Sequence, residues 1–188
     1  MEKEDVGFLC ECFNDMSFWG EYDSIVEQRS MSELMQRFDN PSNLKILTER
    51  KRFIIQKKDG SRIGFIGHWV TQPNRWMEIG YNIVTKERGK GYGTEAVQLM
   101  VDYLFLSQNI SRIQAMADVR NKASQSVLEK AGFRIEGTIR KSGFSRGNWT
   151  DAYLYSILRE EWKEPKILTK NALKLSKGAS KNNRKPEV

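Results

Sequence analysis

The chain has 188 residues, 39% of them apolar and 29% charged, with a formal net charge of +7. That length and apolar share suit one domain with a proper hydrophobic core. No apolar run approaches the roughly 20 residues of a membrane helix, and the acidic opening Met1-Glu2-Lys3-Glu4-Asp5 is unlike a secretory or transit leader, so a cytoplasmic protein is expected.

Cys10 and Cys12 are two residues apart and would point about 200° apart on a helix, which disfavours a disulfide between them. With His68 the sole histidine, no zinc set of Cys and His can be assembled, and no metal is expected. Val6, Phe8, Leu9, Cys12, Phe13 and Met16 predict a first helix ending near Asn14-Asp15. The aromatic residues Phe18, Trp19 and Tyr22 follow in a polar setting, either as core or as the rim of a small-molecule pocket. A second helix is expected from Ser30 or Ser32 to Phe38, stopped by Asn40-Pro41-Ser42. A meander comes next: a strand over 52–57, an Asp59-Gly60 hairpin turn, a strand over 63–70, a turn over 72–75 and a strand over 76–84. In that last strand Met77, Ile79, Tyr81 and Ile83 recur at period two. His68, in the middle strand, reads as a satisfied structural histidine rather than a catalytic base.

Arg88-Gly89-Lys90-Gly91-Tyr92-Gly93 then crowds three glycines into six residues. From Thr94 the spacing turns helical, with Val97, Met100, Val101, Leu104 and Phe105 on one face. A strand feeding a glycine turn at a helix start offers unpaired N–H groups at the positive end of a dipole, which suits phosphate. A strand over 110–119 and a helix over 123–130 capped by Gly132 follow. The last elements are a strand over 133–139, a hairpin tip over 143–148 and a strand over 149–158. This order predicts an α/β (α+β) fold whose mixed sheet has parallel neighbours flanking each of the two later helices.

The glycine turn lacks the Gly-Lys-Ser/Thr of a Walker loop. As a dinucleotide fingerprint starting at Gly89, its last position falls on Thr94. Arg88-x-x-Gly91-x-Gly93 instead resembles the Q/R-x-x-G-x-G/A coenzyme A signature of the Gcn-related N-acetyltransferase (GNAT) superfamily. E-I-G-Y-N-I before it, A-D-V-R-N-K-A-S-Q-S-V-L-E-K-A-G-F after it and the closing G-N-W-T-D-A-Y-L-Y-S-I-L-R-E-E-W resemble the branch of ribosomal-protein alanine acetyltransferases (RimJ/RimL-like), over roughly residues 5 to 162. The resemblance implies a mostly antiparallel sheet with a splayed parallel pair, about four flanking helices and a domain over 1–162. The strand that usually precedes the family's first helix is short or absent here.

It further implies acetyl transfer from acetyl-CoA to an amine without a metal. The coenzyme would be held by Ile83, Val84, Arg88, Gly89, Lys90, Gly91, Tyr92, Gly93, Thr94 and Asn121, with the pyrophosphate on the glycine backbone and the pantetheine on the splayed strand. Glu78 sits where relatives often keep a carboxylate that takes the amine's proton through water; a plain ion pair with Arg75 or Lys86 is its other reading. The family's thiol-acid tyrosine would fall at Leu128, so Ser124 is the expected substitute, unless it serves only beside the helix cap. Asn14, Trp19, Tyr22, Arg146 and Asp151 are candidates to line the acceptor site.

The acceptor is expected to be a peptide α-amine. A polyamine, amino sugar or aminoglycoside-type antibiotic is the alternative, and a coenzyme A- or RNA-binding module with decayed catalysis is a third reading; a homodimer is also possible. Residues 163–188 hold eight Lys/Arg against two Glu, so they carry +6 of the net charge, whereas residues 1–162 hold 23 cations against 22 anions. Lys163, Lys166, Lys170, Lys174, Lys177 and Lys181 would form one stripe on a helix. The extension is read either as solvated and disordered or as a helix that forms on RNA, the ribosome or a membrane surface.

Overall fold

The computed structural model describes residues 1–22, 28–39, 51–72 and 76–165. In chain order the elements are α1 (Val6–Asn14), α2 (Met16–Trp19), α3 (Met31–Asp39), β1 (Lys51–Gln56), β2 (Arg62–Gln72), β3 (Trp76–Ile83), α4 (Tyr92–Ser107), β4 (Arg112–Asp118), α5 (Lys122–Ala131), β5 (Arg134–Ser145) and β6 (Asn148–Leu158). The strands form one sheet in the order β1-β2-β3-β4-β6-β5, with β3–β4 as its one parallel pair among the described residues. The expected mixed, mostly antiparallel sheet with a splayed parallel pair is therefore present, and no described strand precedes α1.

One expectation needs correction. β4 and β5 run parallel but are not neighbours, because β6 inserts between them and pairs antiparallel with both. Composition explains the placement. β6 carries Ala152, Tyr155 and Ile157 into the core, while β5 is exposed along nearly all its length and bears Arg134, Glu136, Arg140 and Lys141. A charged strand with register shifts suits an edge, where it discourages further pairing.

Two cores lie on opposite faces of the sheet. On one face α4 and α5 bury Val97, Met100, Leu104 and Leu128 against Ile79, Ile113, Ala115 and Tyr155. On the other, α1–α3 bury Val6, Leu9, Phe13, Phe18 and Leu34 against Phe65. α4 ends under Arg159, whose guanidinium donates to the carbonyl of Phe105 in its last turn and to that of the capping Gln108. Such a cation satisfies orphan carbonyls at the negative end of the helix dipole. Gly132 closes α5 at φ 101°, as its sequence position implied. α2 was not expected; Asp15 caps it by accepting from the Ser17 N–H at 2.8 Å.

His68 also departs from expectation. It is 5% exposed between Phe53 and Tyr103, but neither ring nitrogen has a hydrogen-bond partner. Burial, with the Lys51 charge as a smaller cause, holds its pKa below 6.5. Cys10 and Cys12 are both free thiols, and burial pushes Cys12 up to about 12.

Candidate active site

β3 and β4 pair only through Trp76, Met77 and Glu78 against Arg112, Ile113 and Gln114. Beyond that point β3 continues to Ile83 paired with β2, and β4 continues to Asp118 paired with β6, so a gap opens between them. The Val84 N–H donates to the Ile63 carbonyl at 2.8 Å, and the Ile83 carbonyl accepts from Arg88 Nε at 2.9 Å. In an antiparallel ladder, alternate residues turn their backbone groups to the partner strand. Even-numbered β3 residues therefore face β2, and Ile79 and Tyr81 present N–H and C=O to the gap. Ile83 and Val84 were expected to offer these groups, but the Ile83 carbonyl and both backbone groups of Val84 are already bonded within the fold.

The glycine loop closes one end of the gap. Gly89 (φ 74°) and Gly91 (φ 88°) adopt the left-handed region, and an added Cβ at either would meet nothing within 4 Å. Gly91 is the N-cap of the 16-residue α4 and supplies no side-chain cap, so the first N–H groups of α4, those of Tyr92, Gly93 and Thr94, await an outside acceptor. An anion fits here on geometry alone: bare backbone, open space and the positive end of a long helix. Gly93 packs against α5, where a Cβ would stand 3.5 Å from Val127 and 3.6 Å from the Tyr81 ring. That is ordinary contact distance, so alanine fits as well, which accounts for the G/A choice in the signature.

The loop's cations behave differently from expectation. Arg88 donates to the carbonyls of Ile83 and Phe18 and so fastens the loop to β3 and α2. Lys90 pairs with Glu87 at 3.0 Å. The Tyr92 side chain lines a separate cavity of about 770 Å³ between β1 and α4, with Phe53, Lys57 and Tyr103, leaving its N–H as its contribution to the loop.

The candidate base and acid stand on opposite faces of the sheet. Glu78 has the parity of the α1–α3 face, is 8% exposed, and accepts a hydrogen bond from Gln114 Nε2 at 2.9 Å. That bond comes from β4 and not from Lys86, and Arg75, the other expected partner, lies outside the described residues. Trp69 covers Gly80, where a Cβ would meet its ring at 3.2 Å, and so walls this face next to Glu78. Ser124 belongs to the first turn of α5 on the other face. The Asn121 side chain caps that helix by accepting from the Ser124 N–H at 3.0 Å. The Ser124 hydroxyl lies 3.0 Å from the Tyr81 phenol oxygen. Leu128, where the family tyrosine would stand, is fully buried in the core.

Sequence reasoning passed over Tyr81 because its period-two position on an apolar strand reads as packing. A lone hydroxyl on that otherwise aliphatic face was the available signal. Burial pushes its pKa up to about 12 against the opposing effect of its Ser124 hydrogen bond.

On the α1–α3 face three distant segments converge. Arg146 donates to the Gly20 carbonyl at 3.1 Å and Ser145 to that of Glu21 at 3.5 Å. Arg120 forms a two-point contact with Asp118, each bond 2.9 Å, and lies 5.3 Å from the Tyr22 ring centroid. The Arg120 hydrogen bond is the largest cause holding Asp118 below the usual carboxylate range. Tyr22 and Arg146 thus come together at this mouth. Three other expected lining residues do not. Asn14 clamps the backbone of Arg29 through bonds of 2.9 and 3.1 Å. Trp19 stacks on Phe13 at 5.6 Å and donates to the Phe13 carbonyl. Asp151 accepts from the Lys141 N–H at 2.8 Å and so holds the irregular stretch of β5.

Comparison with known proteins identifies the family. Residues 1–134 match the family model described as an acetyltransferase (GNAT) domain. The chain is 32% identical over 164 residues to the uncharacterized N-acetyltransferase p20 of Bacillus licheniformis, covering 86% of this chain and 92% of that one. It is 38% identical over 109 residues to YdaF of Bacillus subtilis, a ribosomal N-acetyltransferase by provisional name, covering 57% of this chain and 60% of the other. The fold matches the spermidine N-acetyltransferase of Vibrio cholerae, solved with CoA and spermine, at a TM-score of 0.75 and 21% identity, over 87% and 95% of the two chains. The chain belongs to the GNAT family and is an acetyl-CoA-dependent N-acetyltransferase.

Proposed function

We propose that this enzyme acetylates the α-amine of a peptide or protein N-terminus, in the manner of the RimJ/RimL-like branch. The observation that carries this reading is the charge at the acceptor mouth. Glu78 is its buried carboxylate, Asp118 is neutralised by Arg120, and Arg146 adds a further cation. A polyamine carries several ammonium groups and suits carboxylates that no cation neutralises, whereas Asp118 pairs with Arg120 and Glu21 lies beside the same guanidinium. A peptide brings one amine and a row of carbonyls, which Arg120 and Arg146 suit as donors. The provisional name of YdaF supports the same reading.

Acetyl-CoA supplies the activated acetyl thioester. The N–H groups of the 89–94 loop hold its pyrophosphate, Asn121 approaches the coenzyme from the start of α5, and the backbone of Ile79 and Tyr81 lines the gap for the pantetheine arm. Glu78 takes the proton of the amine through water, and Ser124 faces the sulfur. An α-amine with a pKa near 7.7–8.0 is roughly a tenth neutral at pH 7, whereas a lysine or polyamine amine near 10.4 is below about a tenth of a percent. One unassisted carboxylate therefore suffices for the first and hardly for the second.

The spermine-bound Vibrio cholerae neighbour supports a small-molecule amine as the second reading. A thiol-release assay with acetyl-CoA against peptides, polyamines and amino sugars separates them. Peptides with free N-termini are expected to be turned over at least tenfold more efficiently than spermine, and the reverse order would end the peptide assignment. The basic extension after the domain is proposed to bind RNA or the ribosome. Removing 163–188 is expected to weaken salt-sensitive co-sedimentation with ribosomes or RNA and leave the acetyl-CoA thermal shift intact, and unchanged co-sedimentation would overturn it.

A further inference from the structure

Tyr81 stands where three parts of the site meet. Its backbone faces the β3–β4 gap, its ring packs against Gly93 of α4, and its hydroxyl lies 3.0 Å from Ser124 Oγ and 3.4 Å from the Ser124 carbonyl oxygen. Ser124 is held from the other side by Asn121, which fixes the first turn of α5. The family's tyrosine position is filled by the buried Leu128, yet a tyrosine hydroxyl reaches the same helix face one turn earlier, from a different element.

We propose that Tyr81 is the positioning residue for the leaving thiolate: of the two senses its 3.0 Å contact allows, the phenol donates to Ser124 Oγ, sharing its proton with the more distant Ser124 carbonyl, and thereby turns the serine O–H outward, into the gap. The inference rests on the acetyltransferase reading of Ser124 given above. As the amine nitrogen bonds to the acetyl carbon and the C–S bond breaks, the electron pair goes to sulfur, which accepts a hydrogen bond from the serine O–H. The amine's proton leaves through Glu78 and reaches the thiolate by solvent.

Tyr81 keeps its own proton throughout. A phenol held near 12 by burial does not surrender it to a thiolate whose conjugate acid lies near 8.5. The pair therefore acts as a fixed, half-buried donor, and not as a proton relay. Two consequences separate this arrangement from a merely structural tyrosine. The contribution should be the same at every working pH, and it should disappear once Ser124 is gone.

The test uses the full chain and whichever amine it turns over. Tyr81→Phe keeps the ring packing, and Ser124→Ala removes the final donor; equal thermal midpoints within each acetyl-CoA titration show that fold and coenzyme binding survive. Ser124→Ala is expected to lower kcat roughly 10- to 100-fold, the range for a hydrogen bond to a charged group. Tyr81→Phe is expected to lower kcat about fivefold with KM for acetyl-CoA unchanged, by the same factor from pH 6 to 9, and to add nothing in the Ser124→Ala background. An unaltered kcat in Ser124→Ala overturns the underlying role of the serine. A lowered kcat in Ser124→Ala with none in Tyr81→Phe overturns the Tyr81 inference alone. An additive double mutant, a raised KM or an effect confined to alkaline pH would each overturn it as well.

Discussion

On the α4/α5 face of the gap the proposed coenzyme groups come from short runs of sequence: the 88–94 loop, the 121–124 turn and Tyr81, which touches both. On the α1–α3 face the approach to Glu78 is assembled from the turn near Gly20, the loop after β4 and the tip of the β5–β6 hairpin. The Arg146–Gly20 contact there joins residues 126 apart. The contrast is physical. A pyrophosphate needs only backbone N–H groups and a helix dipole, which a local glycine pattern supplies. An acceptor is distinguished by side chains placed across the fold, and their convergence depends on the whole sheet.

Breaking one face at a time should therefore give opposite kinetic signatures. The largest effect is expected from Glu78→Gln, which keeps a partner for Gln114 but abolishes the proposed base. At pH 7 kcat/KM for a peptide acceptor should fall about 100-fold, the lower end for a lost general base, while the acetyl-CoA thermal shift is retained. Toward pH 9 the peptide amine neutralises without help, so the defect should shrink. For an amine near 10.4 it should persist. A defect that ignores both pH and amine pKa would show that Glu78 serves structure alone.

Gly91→Val attacks the other face. Its φ of 88° is unfavourable for a β-branched residue, and the new side chain enters the open space before α4. KM for acetyl-CoA should rise roughly tenfold or more, an affinity loss of about 1.4 kcal/mol or more. A thermal shift at fixed acetyl-CoA reads this directly. Unchanged coenzyme binding would remove the glycine loop from the pyrophosphate site.

The same contrast explains what could be read from the residues in advance. α1, α4, α5 and all six strands follow from periodicity and from caps such as Gly132. The single turn of α2 is too short to show a period and depends on the Asp15 cap. The insertion of β6 between β4 and β5 is a long-range outcome that no local pattern encodes. Arg88 belongs to the recognisable glycine motif, yet its guanidinium is committed to Phe18, seventy residues away in sequence. Asn14 and Trp19 show the converse. They are polar and aromatic near the expected acceptor mouth, but one clamps Arg29 and the other completes a core. Asn14→Ala should cost about 1 kcal/mol in denaturant unfolding, for its two exposed hydrogen bonds to the Arg29 backbone left unmade. Acceptor KM should stay within twofold; a larger rise would return Asn14 to the acceptor site.

The smallest effect belongs to a residue on neither face of the gap, and it serves as the control. His68 is packed between Phe53 and Tyr103 with both nitrogens unpartnered, so a slightly larger apolar aromatic removes a polar group without opening a cavity. His68→Phe should stabilise the fold by on the order of 1 kcal/mol and leave kcat and both KM values unchanged. The gain should depend on pH in a fixed sense. The folded pKa is lowered by burial, so above about 6.5 both folded and unfolded states hold a neutral imidazole and the ring makes no titration contribution. As pH falls below that value the unfolded chain takes up its proton first and the folded one lags, so wild-type stability declines until the folded pKa is passed. Phenylalanine cannot titrate, and the stability difference between variant and wild type should widen over that interval. Urea unfolding of the two proteins on either side of pH 6.5 measures it. A constant difference would mean that His68 gains a partner on protonation, and a change in kcat would mean that the cleft beneath α4 communicates with the gap.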